Sequence, residues 1–162
     1  MPKKCGLLEW SRSLLGIETT VQLEKGLVLM LETLFDAAKS AQKRAYAPYS
    51  KFKVGAALRT PLGHIYAGCN VENAAYPQGN CAEASAISAM IMGGEHEIAE
   101  ILVIGDGDGL VTPCGGCRQR IREFGKATTP IHIAGPQGVR AHFTLEGLLP
   151  HSFGPEHLGN NT

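Results

Sequence analysis

The sequence lacks an apolar run approaching the length of a membrane span, so a membrane-spanning helix is not expected. It also lacks a charge excess. Fifteen basic residues balance 15 acidic ones, for a formal net charge of zero. A nucleic-acid binder would show a basic stripe, so no nucleic-acid partner is expected. There is no secretory leader pattern: Lys3 and Lys4 are followed by Glu9, Arg12 and Glu18, which break up any apolar segment. Repeats, low-complexity tracts and domain linkers are absent as well. The 162 residues suffice for one domain with a real core. Cysteine is scarce, with five residues: Cys5, Cys69, Cys81, Cys114 and Cys117. An odd count that includes a closely spaced pair excludes a fully paired disulfide scaffold. It suits a reducing cytoplasm instead.

What is present is a succession of helical and extended patterns. Residues 1–20 show no clear period and read as an extension, with a short helical turn around Leu7 to Leu15. From Gln22 to Arg44, Leu23, Leu27, Met30, Leu31, Leu34, Phe35 and Ala38 recur at three- and four-residue steps. That spacing predicts one amphipathic helix, ending ahead of Pro48. Phe52–Leu58 and His64–Gly68 read as strands joined by the turn Pro61-Leu62-Gly63. Cys69–Asn73 continues extended, which puts Asn70 and Glu72 on one face. A helix is expected from Cys81 to Met92, a buried strand over Ile101–Ile104, and a second cysteine-led helix over Gly115–Phe124. Ile131–Ala134 and Val139–Phe143 read as strands around a turn at residues 135–138. Thr144 caps a short helix, and Pro150 opens a tail. Strands alternating with helices predict a three-layer α/β/α fold with a mixed five-stranded sheet, formed by a single domain over residues 21–162.

The chemistry concentrates in Cys81-Ala82-Glu83 and Pro113-Cys114-Gly115-Gly116-Cys117. A catalytic zinc usually keeps three protein ligands and one water. Cys114 and Cys117 have the gap that lets two sulfurs reach one metal, and Cys81 can supply the third. Glu83 falls near such a metal without being needed as a ligand. Both cysteine segments precede helices, whose N-termini favour the thiolate that zinc requires. A closed structural site is the alternative, with Cys69 or a histidine as fourth ligand. The joint presence of Cys81, Glu83 and Pro113 favours catalysis, because the layout matches the signature of zinc nucleobase deaminases.

The sequence resembles the small homotetrameric cytidine deaminases of pyrimidine salvage. The matching segments are Ala45-Tyr46-Ala47-Pro48-Tyr49-Ser50-Lys51-Phe52, Val54-Gly55-Ala56-Ala57-Leu58 and Gly68-Cys69-Asn70-Val71-Glu72-Asn73-Ala74-Ala75-Tyr76-Pro77. Cys81-Ala82-Glu83, Pro113 to Gln119, Leu148-Leu149-Pro150 and Phe153-Gly154-Pro155 follow in order. The resemblance implies hydrolysis of cytidine and deoxycytidine to the uridines, with release of ammonia. It implies Zn2+ on Cys81, Cys114 and Cys117, with Glu83 moving protons. Asn70 and Glu72 would hold the ribose hydroxyls, and Phe52 would pack on the base. The backbone at Ala82 and the carbonyl of Thr112 would meet the base edge. Tyr76 and Phe153 would reach a neighbouring subunit's site in a homotetramer. One departure stands out: many relatives carry arginine after the glutamate, and here Ala84 stands there. Arg118, Arg120 or the helix ends would have to compensate. Alanine at this place is shared with the blasticidin S deaminases, which keeps a related aminopyrimidine nucleoside as the alternative substrate.

Overall fold

The computed structural model describes residues 7–159. Cys5 lies outside them with the rest of 1–6. The chain divides into two compact units, Met1–Thr33 and Leu34–Thr162. Helix α1 runs Leu7–Lys43 and so begins 15 residues ahead of the expected Gln22. Its opening stretch has no proline after Pro2. Its glycines, Gly16 and Gly26, each cost a helix only about 1 kcal/mol. Periodicity locates an apolar face, and a helix can continue where that face is poorly marked.

The other elements fall close to their expected places. They are β1 (Val54–Arg59), β2 (Ile65–Cys69), α2 (Ala82–Met92), β3 (Glu100–Gly105), α3 (Gly115–Phe124), β4 (Pro130–Gly135), β5 (Gly138–Thr144) and α4 (Leu145–Leu148). Gly63, at φ 88°, closes the β1–β2 turn by donating to the Thr60 carbonyl at 2.9 Å. Only glycine adopts that conformation without cost. The Thr144 hydroxyl accepts from Gly147 N at 3.1 Å, so the expected cap is present.

The five strands form one sheet in the order β2-β1-β3-β4-β5. Only the β3–β4 pair is parallel, so the sheet is mixed, as expected. Alternation along the strands gives the sheet two apolar faces. Ala56, Leu58, Ile101, Val103, Ile131 and Ile133 pack with Ala86, Ile87 and Met90 of α2 and Ile121 of α3. On the opposite face of β1, Gly55 abuts the backbone of Ala38 and Gln42 in α1. Leu34, Ala38 and Gln42 form the buried stripe of the last turns of that helix. Helices therefore flank both faces of the sheet.

The helix that carries Cys81 and Glu83 is set against the sheet at Gly68. A Cβ there would lie 2.3 Å from Ala86 N and 2.6 Å from the Ala82 carbonyl oxygen. Both are backbone atoms, so α2 itself would have to move. Gly68→Ala should lower the unfolding free energy by about 3 kcal/mol, as read from urea titration. A change under about 0.5 kcal/mol, the usual effect of a surface substitution, would show that α2 does not rest this closely on β2. Among the described residues, no helix is long and apolar enough to cross a membrane.

Candidate active site

Two helix N-termini meet at the cysteines. Cys81 is the N-cap of α2 and Cys114 the N-cap of α3, both with extended backbone and neither using its side chain as a cap. Cys117 is the third residue of α3 and is fully buried. The three Sγ atoms lie within 4.8 Å of one another, with Cys81 and Cys114 at 3.9 Å. A tetrahedral site with Zn–S bonds of about 2.3 Å has edges of about 3.8 Å. Three sulfurs at this separation, on two helix ends with unpaired N–H groups, fit zinc in spacing and in chemistry. Among the described residues this is the one group of three Cys, His, Asp or Glu ligand atoms so gathered. Cys69, the last residue of β2, stands outside it, so the closed four-cysteine alternative finds no support.

The sulfurs already share their protons unequally. The Cys117 thiol, hydrogen-bonded to Cys81, brings Cys81 down to about 6. The same bond, with burial, pushes Cys117 above the ordinary thiol range. The charge of Arg120 also lowers Cys81, in a smaller measure. Arg118 is held by three hydrogen bonds. Its guanidinium donates to the Pro113 carbonyl at 2.7 Å, the Leu148 carbonyl at 2.8 Å and the Thr112 hydroxyl at 3.1 Å. Of the two arginines considered opposite Ala84, Arg118 ties down the loop ahead of α3, and the charge of Arg120 acts on Cys81.

Glu83, the second residue of α2, is 4% exposed. No hydrogen bond from the described residues reaches its carboxylate. It lines a cavity of about 200 Å3 with Cys81, Cys114, Ala82, Thr112 and Asn70, over a floor of Val54, Val103 and Val111. A second, wider cavity of about 580 Å3 adjoins it and shares Asn70 and Cys81. Its lining includes Tyr49, Ser50, Glu72 and Tyr76. A carboxylate without a hydrogen-bond partner among the described residues, on a buried residue that lines the same small cavity as Cys81 and Cys114, is equipped to take and return protons.

The residues expected to contact substrate divide into two groups. Asn70 and Glu72 do share a face. Asn70 Oδ1 accepts from Val54 N and its Nδ2 donates to the Phe52 carbonyl, each at 2.9 Å. Glu72 is gripped by Tyr49 and Ser50. The Ser50 hydroxyl first, and then the two backbone N–H groups and Lys51, hold its carboxyl below the usual range. Tyr76 is 75% exposed, lines the wider cavity and meets Tyr49 edge-on at 6.0 Å. Phe52, 41% exposed, lines neither cavity. Phe153 also lies outside both. It is 58% exposed and stacks on His157, while its carbonyl accepts from Gln119 on α3. Sequence reasoning missed Ser50, the centre of the Glu72 contacts. The signal was Pro48-Tyr49-Ser50, turn chemistry just before a strand.

Comparison with known proteins agrees with this geometry. Residues 30–133 match the family model described as the cytidine and deoxycytidylate deaminase zinc-binding region. A cytidine deaminase of Sporosarcina psychrophila is 42% identical over 128 residues, which cover 79% of this chain and 94% of that protein. A probable cytidine deaminase of Dictyostelium discoideum is 45% identical over 129 residues, covering 79% and 86%. The crystal structure of a cytidine deaminase from Burkholderia pseudomallei superposes with a TM-score of 0.71 at 45% identity, covering 75% of this chain and 98% of that one. A cytidine deaminase structure from Mycobacterium tuberculosis gives 0.66 at 35% identity, covering 76% and 96%. With the three-sulfur cluster and Glu83 at the meeting of two helix ends, and a family model matching across them, the chain belongs to the zinc-dependent cytidine deaminase family.

Proposed function

We propose that this chain hydrolyses cytidine and 2'-deoxycytidine to uridine and 2'-deoxyuridine, releasing ammonia. The observation that carries the reading is the Glu83 carboxylate, on a 4% exposed residue and open to the small cavity that Cys81 and Cys114 also line, beside three convergent thiols. Cys81, Cys114 and Cys117 would hold zinc, which when bound would lower the pKa of a water towards about 7 and so supply a nucleophile at neutral pH. Glu83 accepts the proton that this water gives up. It passes the proton to ring nitrogen N3, which makes C4 electrophilic. The hydroxyl adds to C4; Glu83 takes up its remaining proton as the C4–N bond breaks and delivers it to the exocyclic amino group, which leaves as ammonia while C4 becomes the carbonyl carbon. Thr112 and Ala82 line the smaller cavity, and the Thr112 carbonyl and the Ala82 backbone suit the polar edge of the base. Asn70 lies where the two cavities join and Glu72 lines the wider one, and both suit the sugar.

The exposed aromatic residues have a place in the same reading. Phe52, Tyr76 and Phe153 are apolar side chains left open to solvent on one chain. In a homotetramer, Phe52 packs on the base, and Tyr76 and Phe153 reach the neighbouring subunit's site. Catalysis belongs to residues 21–162 as one domain acting in the cytoplasm, with residues 1–20 as an appended extension.

A spectrophotometric assay on cytidine, 2'-deoxycytidine, blasticidin S and CMP, with and without a chelator, tests the substrate. Cytidine and deoxycytidine should be turned over, and chelation should abolish the reaction. Turnover of blasticidin S alone would shift the assignment to the related aminopyrimidine nucleoside, and turnover of none would end it. Light scattering should find a particle of four 17.2 kDa chains. A monomer with full activity would remove the shared site.

A further inference from the structure

Every hydrogen bond that the Glu72 side chain makes among the described residues goes to one turn. Tyr49 N and Ser50 N donate to Oε2 at 2.9 Å and 3.2 Å, and the Ser50 hydroxyl donates to Oε1. Two successive backbone N–H groups form a small anion cradle, and the hydroxyl closes it. The turn is shaped for this purpose. Lys51 N donates back to the Ala47 carbonyl at 3.1 Å, and Lys51 has φ 60°, a left-handed conformation that a side-chain-bearing residue adopts only when its surroundings demand it. The Ser50 oxygen meanwhile accepts from Phe52 N at 3.0 Å. That contact orients the hydroxyl, so its hydrogen is committed to Glu72.

The remaining capacity can be counted. An ionised carboxylate offers about four acceptor positions. Oε2 spends its two on Tyr49 and Ser50 N–H, and Oε1 spends one on the Ser50 hydroxyl. One position on Oε1 remains, on a side chain that lines the wider cavity. Asn70 beside it has used one amide hydrogen and one lone pair on the backbone of Phe52 and Val54. It keeps one donor and one acceptor.

Resting on the nucleoside reading above, we propose that Ser50 is a positioning residue for sugar recognition. Its hydroxyl locks the Glu72 carboxylate with a single acceptor position open, so the pocket reads one sugar hydroxyl and ignores the loss of the other. The open position on Glu72 accepts from that hydroxyl, and the spare Asn70 hydrogen donates to it. Cytidine and 2'-deoxycytidine are then accepted alike, and a nucleoside with neither secondary hydroxyl gains nothing from the clamp. A merely structural Ser50 would instead hold the 47–52 turn in shape and affect all substrates equally.

Steady-state kinetics of Ser50→Ala, Ser50→Thr, Glu72→Gln and the Ser50→Ala/Glu72→Gln double variant, on cytidine, 2'-deoxycytidine and 2',3'-dideoxycytidine, separate these outcomes. Ser50→Ala should raise KM about tenfold for the first two substrates with kcat nearly unchanged, the mark of lost uniform binding. KM for the dideoxy compound should stay at the parent value. Ser50→Thr, which keeps the hydroxyl, should restore the parent KM. In the Glu72→Gln background, Ser50→Ala should add nothing. Ser50→Gly keeps both backbone donors and repeats the deletion if thermal melting finds the alanine variant unfolded. An equal loss on all three substrates, or full additivity in the double variant, would overturn the proposal. Glu72→Gln raising KM while Ser50→Ala does not would overturn the role of Ser50 alone. An unchanged cytidine KM in Glu72→Gln would instead remove Glu72 from sugar recognition.

Discussion

Glu83→Gln will leave zinc bound at one ion per chain and lower kcat by about 10²–10⁴-fold, the usual worth of a positioned acid/base. The substitution keeps the volume and planar shape of the side chain in the 200 Å3 cavity. It removes only the ability to take up and return a proton. The Glu83 carboxylate makes no hydrogen bond among the described residues, so no structural tie is cut. Its neighbours are the sulfurs, and an amide replacing a carboxylate relieves them of a nearby negative charge. Zinc content should therefore be unchanged or slightly higher. Metal analysis and a single-turnover assay on the same sample check both halves. Turnover near the parent rate would remove Glu83 as the proton carrier. Loss of zinc together with activity would make it part of the metal site instead.

The second large effect is on the metal itself. Cys117→Ser will abolish detectable zinc retention after dialysis against a chelator, and deamination will fall to background. Cys117 is fully buried in the first turn of α3, its thiol held against Cys81. A serine hydroxyl there is a hard donor that stays protonated at neutral pH, which zinc binds poorly against thiolate competitors. Two thiolates remain, too few to hold the ion. Cys69→Ser is the control: it should keep full zinc content and full kcat, because Cys69 lies outside the cluster. If Cys69→Ser lost the metal and Cys117→Ser kept it, the ligand set would be wrong. Adding zinc back to chelator-treated parent protein should restore activity.

The metal site was readable in the sequence because its geometry is local. Cys114 and Cys117 lie within one turn, each N-cap cysteine follows a loop, and Glu83 is fixed two residues along the helix that Cys81 opens. The strands were readable for a similar reason: the core positions of β1, β3 and β4 alternate or run apolar between glycine and proline. What escaped is non-local or carries no pattern. The grip of Ser50 on Glu72 spans 22 residues and depends on an unusual Lys51 backbone angle that no motif announces. Which arginine faces the thiols depends on the direction of each side chain around α3. Arg118 turns towards the carbonyls of Pro113 and Leu148, and Arg120 is left near Cys81. The early start of α1 at Leu7 was invisible to periodicity, since Leu7–Thr20 can hold a helix without a clean apolar stripe. Phe52 and Phe153 carry no contact to either cavity within one chain, which a linear motif does not reveal.

X-ray absorption at the zinc edge of the purified protein tests the central claim most directly. Three sulfur neighbours at about 2.3 Å and one oxygen or nitrogen neighbour at about 2.0 Å are expected, since an open catalytic corner must be filled by a light, exchangeable atom. Four sulfurs, or an ion with no sulfur around it, would contradict the assignment.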